Sequence, residues 1–312
     1  MLSDVRYNIK KLVLLTCILA VIVTIISCRF YFNTTKDNFK AVDNDNAVAH
    51  GKKLTFTICG DCHFNRVTER FSGMPLNDFP KIGGRLYSAN LTHSVTNGIP
   101  GKYSDAELFY LLKTGIARNG KFMPFMMKPM MADDDINDVI VYLRSDDKAL
   151  AAVDSTVGLT HLNLIGRMGL RMAAKPTPYN KGIVRPDENN DIVYGKYLVA
   201  VIGCYQCHSA SKLKIDYELP EKSKGYLQGG MKMKDDKGEK IYSPNLTPDK
   251  ETGIGNYTNE TFTKALREGV ADDGMQLMPP MPRFKQLNDK DIHAIYAYLK
   301  SLPAVKHKVK RM

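Results

Sequence analysis

The longest apolar stretch of the chain lies close to its N-terminus. Residues Leu12 to Cys28 carry no charge, and Lys10 and Lys11 precede them. Seventeen such residues are just enough to cross the hydrocarbon core of a bilayer as a helix, and the two lysines favour a cytoplasmic N-terminus. The pattern therefore predicts a membrane segment within residues 1–32, with the rest of the chain at the cell inner membrane facing the periplasm. A lipoprotein signal with a lipid anchor at Cys28 is the alternative, and the pattern leaves both open.

The remaining hydrophobic positions recur with helical spacing. Two stretches place apolar side chains at i, i+3, i+4 and i+7, which indicates a helix with one buried face. Ser104 and Glu107 form the signature of a capping box ahead of another helix, and Gly115 follows as a stop signal. The fold class predicted is therefore all-α. The apolar positions of the two stretches are Ile136, Val139, Ile140 and Leu143, and then Ile292, Ile295, Tyr296 and Leu299.

The second half of the chain repeats the first. The sequence GKKL at 51–54 matches GKYL at 195–198, SANLT at 88–92 matches SPNLT at 243–247, and MPFM at 123–126 matches MPPM at 278–281. An internal repeat of this length predicts two homologous domains. The predicted layout is a spacer over 33–46, a first domain over 47–150, a linker over 151–189, a second domain over 190–305 and a basic tail over 306–312.

Composition and charge describe an ordinary globular protein with a basic excess. The 312 residues are 44% hydrophobic and 25% charged, and the formal net charge is +11. The positive charges do not form one long stripe, and no recognised nucleic-acid-binding module accompanies them. We therefore expect no nucleic-acid partner.

The two halves share one motif that carries chemistry. The pattern C-x-x-C-H is the attachment signature of c-type haem, because two thiols form thioethers with the porphyrin and the adjacent imidazole ligates the iron. A redox dithiol or a zinc site also uses paired cysteines, but neither requires the histidine. The sequence therefore predicts two covalently bound haem c groups. The residues concerned are Cys59, Cys62 and His63 in the first copy, and Cys204, Cys207 and His208 in the second.

The order of these motifs resembles the class I cytochrome c domain. The sequence SPNLTPDKETGIGNY at 243–257 more narrowly resembles the cytochrome subunits of membrane-bound bacterial alcohol and gluconate dehydrogenases. The similarity covers about 47–145 and 191–303, and it implies two tandem cytochrome c domains after the N-terminal membrane segment. The chain departs from the family in having two haem domains where many of those subunits have three. It also has no tryptophan, and Tyr103 and Tyr257 stand where the family usually has one.

A sixth iron ligand decides between electron transfer and catalysis at the iron. Methionine is a weak axial ligand that leaves no open site, and the P-x-M sequence recurs in both halves, where the resemblance places that ligand. We therefore predict Met126 and Met281 as axial ligands, with Met127 and Met123 as alternatives. In each domain a proline carbonyl, that of Pro75 or Pro220, is expected to accept the proximal imidazole N–H. Asn90 and Asn245 are candidates for binding haem propionates, or are plain turn residues.

The function predicted is a dihaem relay that passes single electrons between a periplasmic or membrane dehydrogenase and a respiratory-chain acceptor. The protein would then be an electron-transfer partner and not an enzyme by itself. The alternative is a dihaem peroxidase, which needs one open iron with acid and base residues above it. The paired P-x-M sequences argue against that alternative. The linker between the domains contains an amphipathic stretch at 161–174 that we expect to pack across the domain interface.

Overall fold

The computed structural model describes residues 2–27, 32–35, 37–77, 79–154, 158–235 and 238–310. The fold is helical with two small antiparallel sheets, in which β1 pairs with β2 and β3 with β4. The helices are α1 (Leu2–Ser27), α2 (Ala47–Ile58), α3 (Gly60–His63), α4 (Asp105–Thr114), α5 (Asp133–Arg144), α6 (Leu164–Ala173), α7 (Asp191–Ile202), α8 (Cys204–His208), α9 (Asn259–Arg267) and α10 (Asp289–Ser301). The strands are β1 (Gly84–Arg85), β2 (His161–Leu162), β3 (Lys232–Lys234) and β4 (Lys240–Tyr242).

The prediction of an N-terminal membrane segment was wrong. Across the part of the chain that the structure describes, none of the helices combines the length and the apolar character needed to cross a bilayer. The apolar run that prompted the prediction occupies only residues 12–27 of α1, which is shorter than the roughly 20 residues of a typical span. Cys28, the predicted site of lipid attachment, lies outside the described residues.

Each half of the chain is built on a pair of crossing helices. In the first unit α2 packs on α5, and in the second α7 packs on α10. The crossings are close because each has a glycine at the contact. A β-carbon on Gly51 would lie 1.8 Å from the carbonyl oxygen of Asp138, and one on Gly195 would lie 1.9 Å from that of Ala294. Both distances are much shorter than a van der Waals contact. The two helices of each pair can therefore pack this closely only because glycine has no side chain.

The two units share one hydrophobic core, and polar contacts between them are reciprocal. Lys53 of α2, in the first unit, donates to the carboxylate of Asp291 in the second unit at 3.1 Å. The hydroxyl of Tyr197 in α7, in the second unit, donates to the carboxylate of Asp135 in the first. In the alignment of the two repeats, residue 53 is equivalent to residue 197, and residue 135 is equivalent to residue 291. Each unit therefore uses the same helix position to contact the equivalent aspartate of the other, which is the pattern of an approximate two-fold axis.

The segment predicted as a spacer lies along the first unit. Asp37 accepts hydrogen bonds from Lys181 at 2.7 Å and Tyr179 at 2.6 Å, and Val42 donates its N–H to the side chain of Asn137 at 2.8 Å. The hydrogen bonds from Lys181 and then Tyr179 lower the pKa of Asp37 to about 2. These contacts attach the segment before α2 both to the first unit and to the linker.

The linker crosses from one unit to the other. Its helix α6 contacts the 3₁₀ turn Lys81–Gly83 of the first unit and the 3₁₀ turn Lys212–Lys214 of the second. β2 precedes α6 and pairs with β1 of the first unit, with Gly84 opposite Leu162. The expected packing of the linker across both units is therefore present in the structure.

Candidate haem-binding site

Both cysteine motifs sit at the end of the long helix that enters the core of their unit. α2 leads directly into Cys59 and the short helix α3, while α7 is followed by Gly203, in a left-handed conformation with φ of 92°, and then by α8. The first cysteine of each motif is half-buried and the second is exposed. Each motif therefore presents one thiol from the edge of the core and one from the surface; in the second motif both lie on α8, whereas in the first Cys59 immediately precedes α3.

The imidazoles of both motifs are buried and oriented by backbone carbonyls. Nδ1 of His63 lies 2.8 Å from the oxygen of Ala89, and Nδ1 of His208 lies 2.9 Å from that of Pro244. An imidazole that donates through Nδ1 has its lone pair on Nε2, the atom left to ligate a metal. Burial lowers the pKa of both histidines, which favours the neutral ring that iron requires.

The acceptors of these two hydrogen bonds differ from the predicted ones. The sequence predicted the carbonyls of Pro75 and Pro220, but Pro75 forms a bridge with Tyr87, and Pro220 is buried at the start of a 3₁₀ turn. The residues that do accept stand at equivalent places in the repeat, as the second residue of SANLT and of SPNLT. Sequence reasoning missed them because a backbone carbonyl has no signature in its side chain, although the repeat itself was visible.

The asparagines of the same two repeats hold the backbone that carries these carbonyls. The side-chain oxygen of Asn90 accepts the N–H of Thr92 at 2.8 Å, and its amide donates to the carbonyl of Val153 at 2.8 Å. Asn245 makes the equivalent bonds to Thr247 at 2.9 Å and to the carbonyl of Val305 at 2.8 Å. These hydrogen bonds agree with the predicted turn role of the two asparagines, and propionate binding stays a prediction.

The candidate methionines of the first unit differ in how deeply they are buried. Met127 is 1% exposed and lies with its sulfur 3.9 Å from the hydroxyl of Thr177, so it belongs to the core. Met126 ends the 3₁₀ turn Pro124–Met126 and is only half-buried, as is Met281 in the second unit. Met123, the other predicted alternative, is also half-buried. The assignment of Met126 and Met281 as axial ligands remains a prediction, and the burial of Met127 favours Met126 over that neighbour.

A lysine beside the first methionine loop reaches the second unit. Lys128 follows Met126 by two residues, and its ammonium donates to the carbonyl of Val201 in α7 at 3.1 Å. Burial lowers the pKa of Lys128, and the groups that act on its ammonium electrostatically are cysteines. Those cysteines come from both motifs, so Lys128 lies near both attachment sites. They are Cys59, Cys62, Cys204 and Cys207.

The equivalent residue of the second unit faces the first motif. Arg283 follows Met281 by two residues, and it acts electrostatically on Asp61, which lies between the cysteines of the first motif. Burial raises the pKa of Asp61, and the charges of Arg66 and Arg283 oppose that rise. Each methionine loop thus places a cation toward the motif of the opposite unit.

A second cluster of metal-type donors is an ion-pair network. His50, Asp135 and Asp138 bring their donor atoms within 4.8 Å of one another. The guanidinium of Arg185 lies 2.5 Å from Asp135 and 3.3 Å from Asp138, and therefore supplies the positive charge that these carboxylates need. Because Arg185 belongs to the linker, the network fixes the linker to the first unit.

The residues of both motifs fit a covalently bound haem. The two thiols of each motif would bond to the porphyrin, and the imidazole, with Nε2 available, would ligate the iron. In the second unit these residues lie beside the crossing helices α7 and α10. Residues 192–303 match the family model for cytochrome c. The second unit is therefore a cytochrome c domain, a kind of domain that carries covalently bound haem c.

Known proteins similar to the chain are cytochrome subunits of bacterial dehydrogenases, which confirms the predicted resemblance. The cytochrome c subunit of an alcohol dehydrogenase (quinone) from Gluconobacter oxydans is 43% identical over 106 residues, or 33% of this chain and 20% of that protein. The fructose dehydrogenase cytochrome subunit of Gluconobacter japonicus is 36% identical over 149 residues, or 47% and 27%. The gluconate 2-dehydrogenase cytochrome c subunit of Pantoea cypripedii is 40% identical over 116 residues, or 36% and 24%. The chain thus spans about a quarter of the length of these relatives.

Proposed function

We propose that the protein is a dihaem c-type cytochrome that relays single electrons between two redox partners. The second haem domain matches a known family, and the relatives support electron transfer. The observation that carries the proposal is the duplicate site, in which His63 and His208 are buried and oriented by equivalent backbone carbonyls. A chain that repeats the whole ligand set and its supporting hydrogen bond is suited to hold a haem in each unit.

The residues have distinct roles in this proposal. Haem supplies the one-electron chemistry of its iron, and the chain supplies ligation, orientation and burial. The cysteines of each motif would attach the porphyrin, and the histidine would ligate the iron through Nε2. The methionine would supply a further ligand, so that no position would be left open to a substrate. The first set is Cys59, Cys62, His63 and Met126, and the second is Cys204, Cys207, His208 and Met281.

The partners follow from the same relatives. A dehydrogenase subunit is proposed as electron donor and a respiratory-chain component as acceptor, because the similar proteins are cytochrome subunits of alcohol, fructose and gluconate dehydrogenases. The haem domains would face the periplasm, where those two partners meet.

Optical spectroscopy of the purified holoprotein tests the proposal. Two haems for each chain, the weak red absorption band of methionine-ligated ferric haem and no binding of CO to the reduced protein are expected. Met126→Ala and Met281→Ala should each remove half of that band and let one haem bind CO, whereas the matched control Met127→Leu should leave both unchanged.

Other outcomes would replace the proposal. A single haem for each chain would restrict the relay to the second unit. A high-spin haem that binds CO in the unmodified protein would instead favour a peroxidase, because peroxide needs an open iron position.

A further inference from the structure

Helix α6 has an unusual orientation on the surface of the protein. Its contact with the first unit is made by Gly166, on which a β-carbon would lie 2.1 Å from the carbonyl oxygen of Gly83. Asn163 caps the helix by accepting the N–H of Gly166 at 3.0 Å, and its amide donates to the carbonyl of Ile82 at 2.7 Å. The start of α6 is therefore held tightly, and the direction in which each of its faces points is fixed.

The face of α6 that points away from the protein is apolar. The side chains of Leu164, Ile165, Met168 and Met172 are 46%, 56%, 49% and 75% exposed. At about 100° per residue these four positions fall within an arc of roughly 100°, on the side opposite to Gly166. An ordinary surface helix turns its apolar stripe toward the core, so α6 is oriented the opposite way.

Each of the two turns that α6 contacts also carries an exposed apolar side chain. α6 contacts the turn that carries Ile82, which is 68% exposed, and the turn that carries Leu213, which is 66% exposed. We call the outer face of α6, taken together with these two exposed side chains on the neighbouring turns, the linker patch. Contiguous exposed apolar surface on a folded protein marks a site of interaction.

The surroundings of the linker patch are cationic. The three segments 81–85, 164–175 and 211–214 contain seven basic residues and no carboxylate, and all seven basic side chains are exposed. Protein–protein interfaces are depleted in lysine, whereas apolar side chains surrounded by lysine and arginine are typical of surfaces that lie on anionic lipid. The basic residues are Lys81, Arg85, Arg167, Arg171, Lys175, Lys212 and Lys214.

We propose that the linker patch is a docking surface for an anionic lipid bilayer. The apolar side chains of α6 enter the boundary between headgroups and acyl chains, and the surrounding lysines and arginines bind the anionic headgroups. The patch lies on the linker and on both units, so docking would hold the two units in one orientation at the membrane surface. It is separate from α1 and does not depend on the proposed electron relay.

Oxidative footprinting of the intact holoprotein tests this docking locally. Met168 and Met172 are exposed to hydroxyl radicals in solution, and vesicles of phosphatidylglycerol mixed with phosphatidylcholine should slow their oxidation roughly tenfold. Met275, which is 49% exposed like Met168, is the internal control and should oxidise at an unchanged rate. Because the measurement is made on individual side chains, binding of vesicles by any other part of the chain would not produce the expected result.

Variants in a vesicle flotation assay test the two components of the surface. Ile165→Glu should weaken binding to the anionic vesicles roughly tenfold, while Val95→Glu, at a residue 92% exposed outside the patch, should not. Replacing Lys175, Lys212 and Lys214 together by glutamine should weaken it on the order of a hundredfold.

Three results would overturn the proposal. The first is equal oxidation of Met168 with and without anionic vesicles. The second is equal protection by vesicles of phosphatidylcholine alone, which would remove the role of the cations. The third is protection that rises with protein concentration in the absence of lipid, because a second copy of the chain would then be the occupant of the patch.

Discussion

Replacing Gly195 by alanine should destabilise the second unit at the crossing of α7 and α10. The added β-carbon would lie 1.9 Å from the carbonyl oxygen of Ala294, 2.5 Å from its carbonyl carbon and 2.9 Å from the β-carbon of Tyr298. Two of these three neighbours are backbone atoms inside a helix, which cannot rotate away as a side chain could. The helices must therefore separate, and the separation is opposed by the buried residues on both sides.

The size of the effect follows from two opposing contributions. Overpacking of a core contact costs typically 1–3 kcal/mol, and we take about 3 kcal/mol because the clash is with rigid backbone. Alanine is about 1 kcal/mol more favourable than glycine inside a helix, and this gain offsets part of the cost. The net loss is about 2 kcal/mol, which corresponds to a fall in the melting temperature of roughly 4–8 °C.

Thermal denaturation of the holoprotein, followed by circular dichroism, measures this loss. Gly101→Ala is the matched control, because a β-carbon there would meet no atom within 4 Å. Gly51→Ala, at the equivalent crossing of the first unit, should cost as much as Gly195→Ala. Equal melting temperatures for Gly195→Ala and the unmodified protein would refute the reasoning that close helix approach depends on the missing side chain.

Three further predictions concern the interface and the segment before α2. Lys128→Gln should lower the reduction potentials of both proposed haems, measured by spectroelectrochemistry, because the lost positive charge acts on cysteines of both motifs; a shift of one haem alone would contradict this placement. Tyr197→Phe should cost about 1–3 kcal/mol in urea denaturation, because it removes a hydrogen bond to the buried carboxylate of Asp135, and an unchanged midpoint would mean that the bond contributes nothing. The bonds from Lys181 and Tyr179 to Asp37 lower the pKa of that carboxyl to about 2, so their contribution is complete above pH 4 and is lost as the pH falls toward 2; protection of residues 37–42 against hydrogen exchange, taken relative to the intrinsic exchange rate at each pH, should fall over that range, and unchanged protection would argue against the contact.

The sequence predicted the helices and the capping box of this protein better than it predicted the hydrogen-bond acceptors of the imidazoles or the character of the N-terminal helix. The capping box at Ser104 and Glu107 is confirmed, as are the helices that carry the periodic positions, because local patterns determine them. The acceptors for the imidazoles were missed, since a backbone carbonyl can be assigned only when the loop conformation is known. The membrane segment was wrong, because the apolar part of α1 is shorter than the roughly 20 residues of a typical membrane crossing.

The contacts between the two units could not be predicted from either repeat alone. Lys53 and Tyr197 occupy equivalent helix positions, yet one is a cation and the other a phenol, and both reach the equivalent aspartate of the other unit. A common geometry therefore tolerates different donors, provided that each buried carboxylate is satisfied. Lys128 extends the same geometry to the candidate haem sites, because a residue of one methionine loop lies against the helix that leads into the other motif. If each unit holds a haem as proposed, a change at this contact should alter the surroundings of both irons, and the two reduction potentials should shift together.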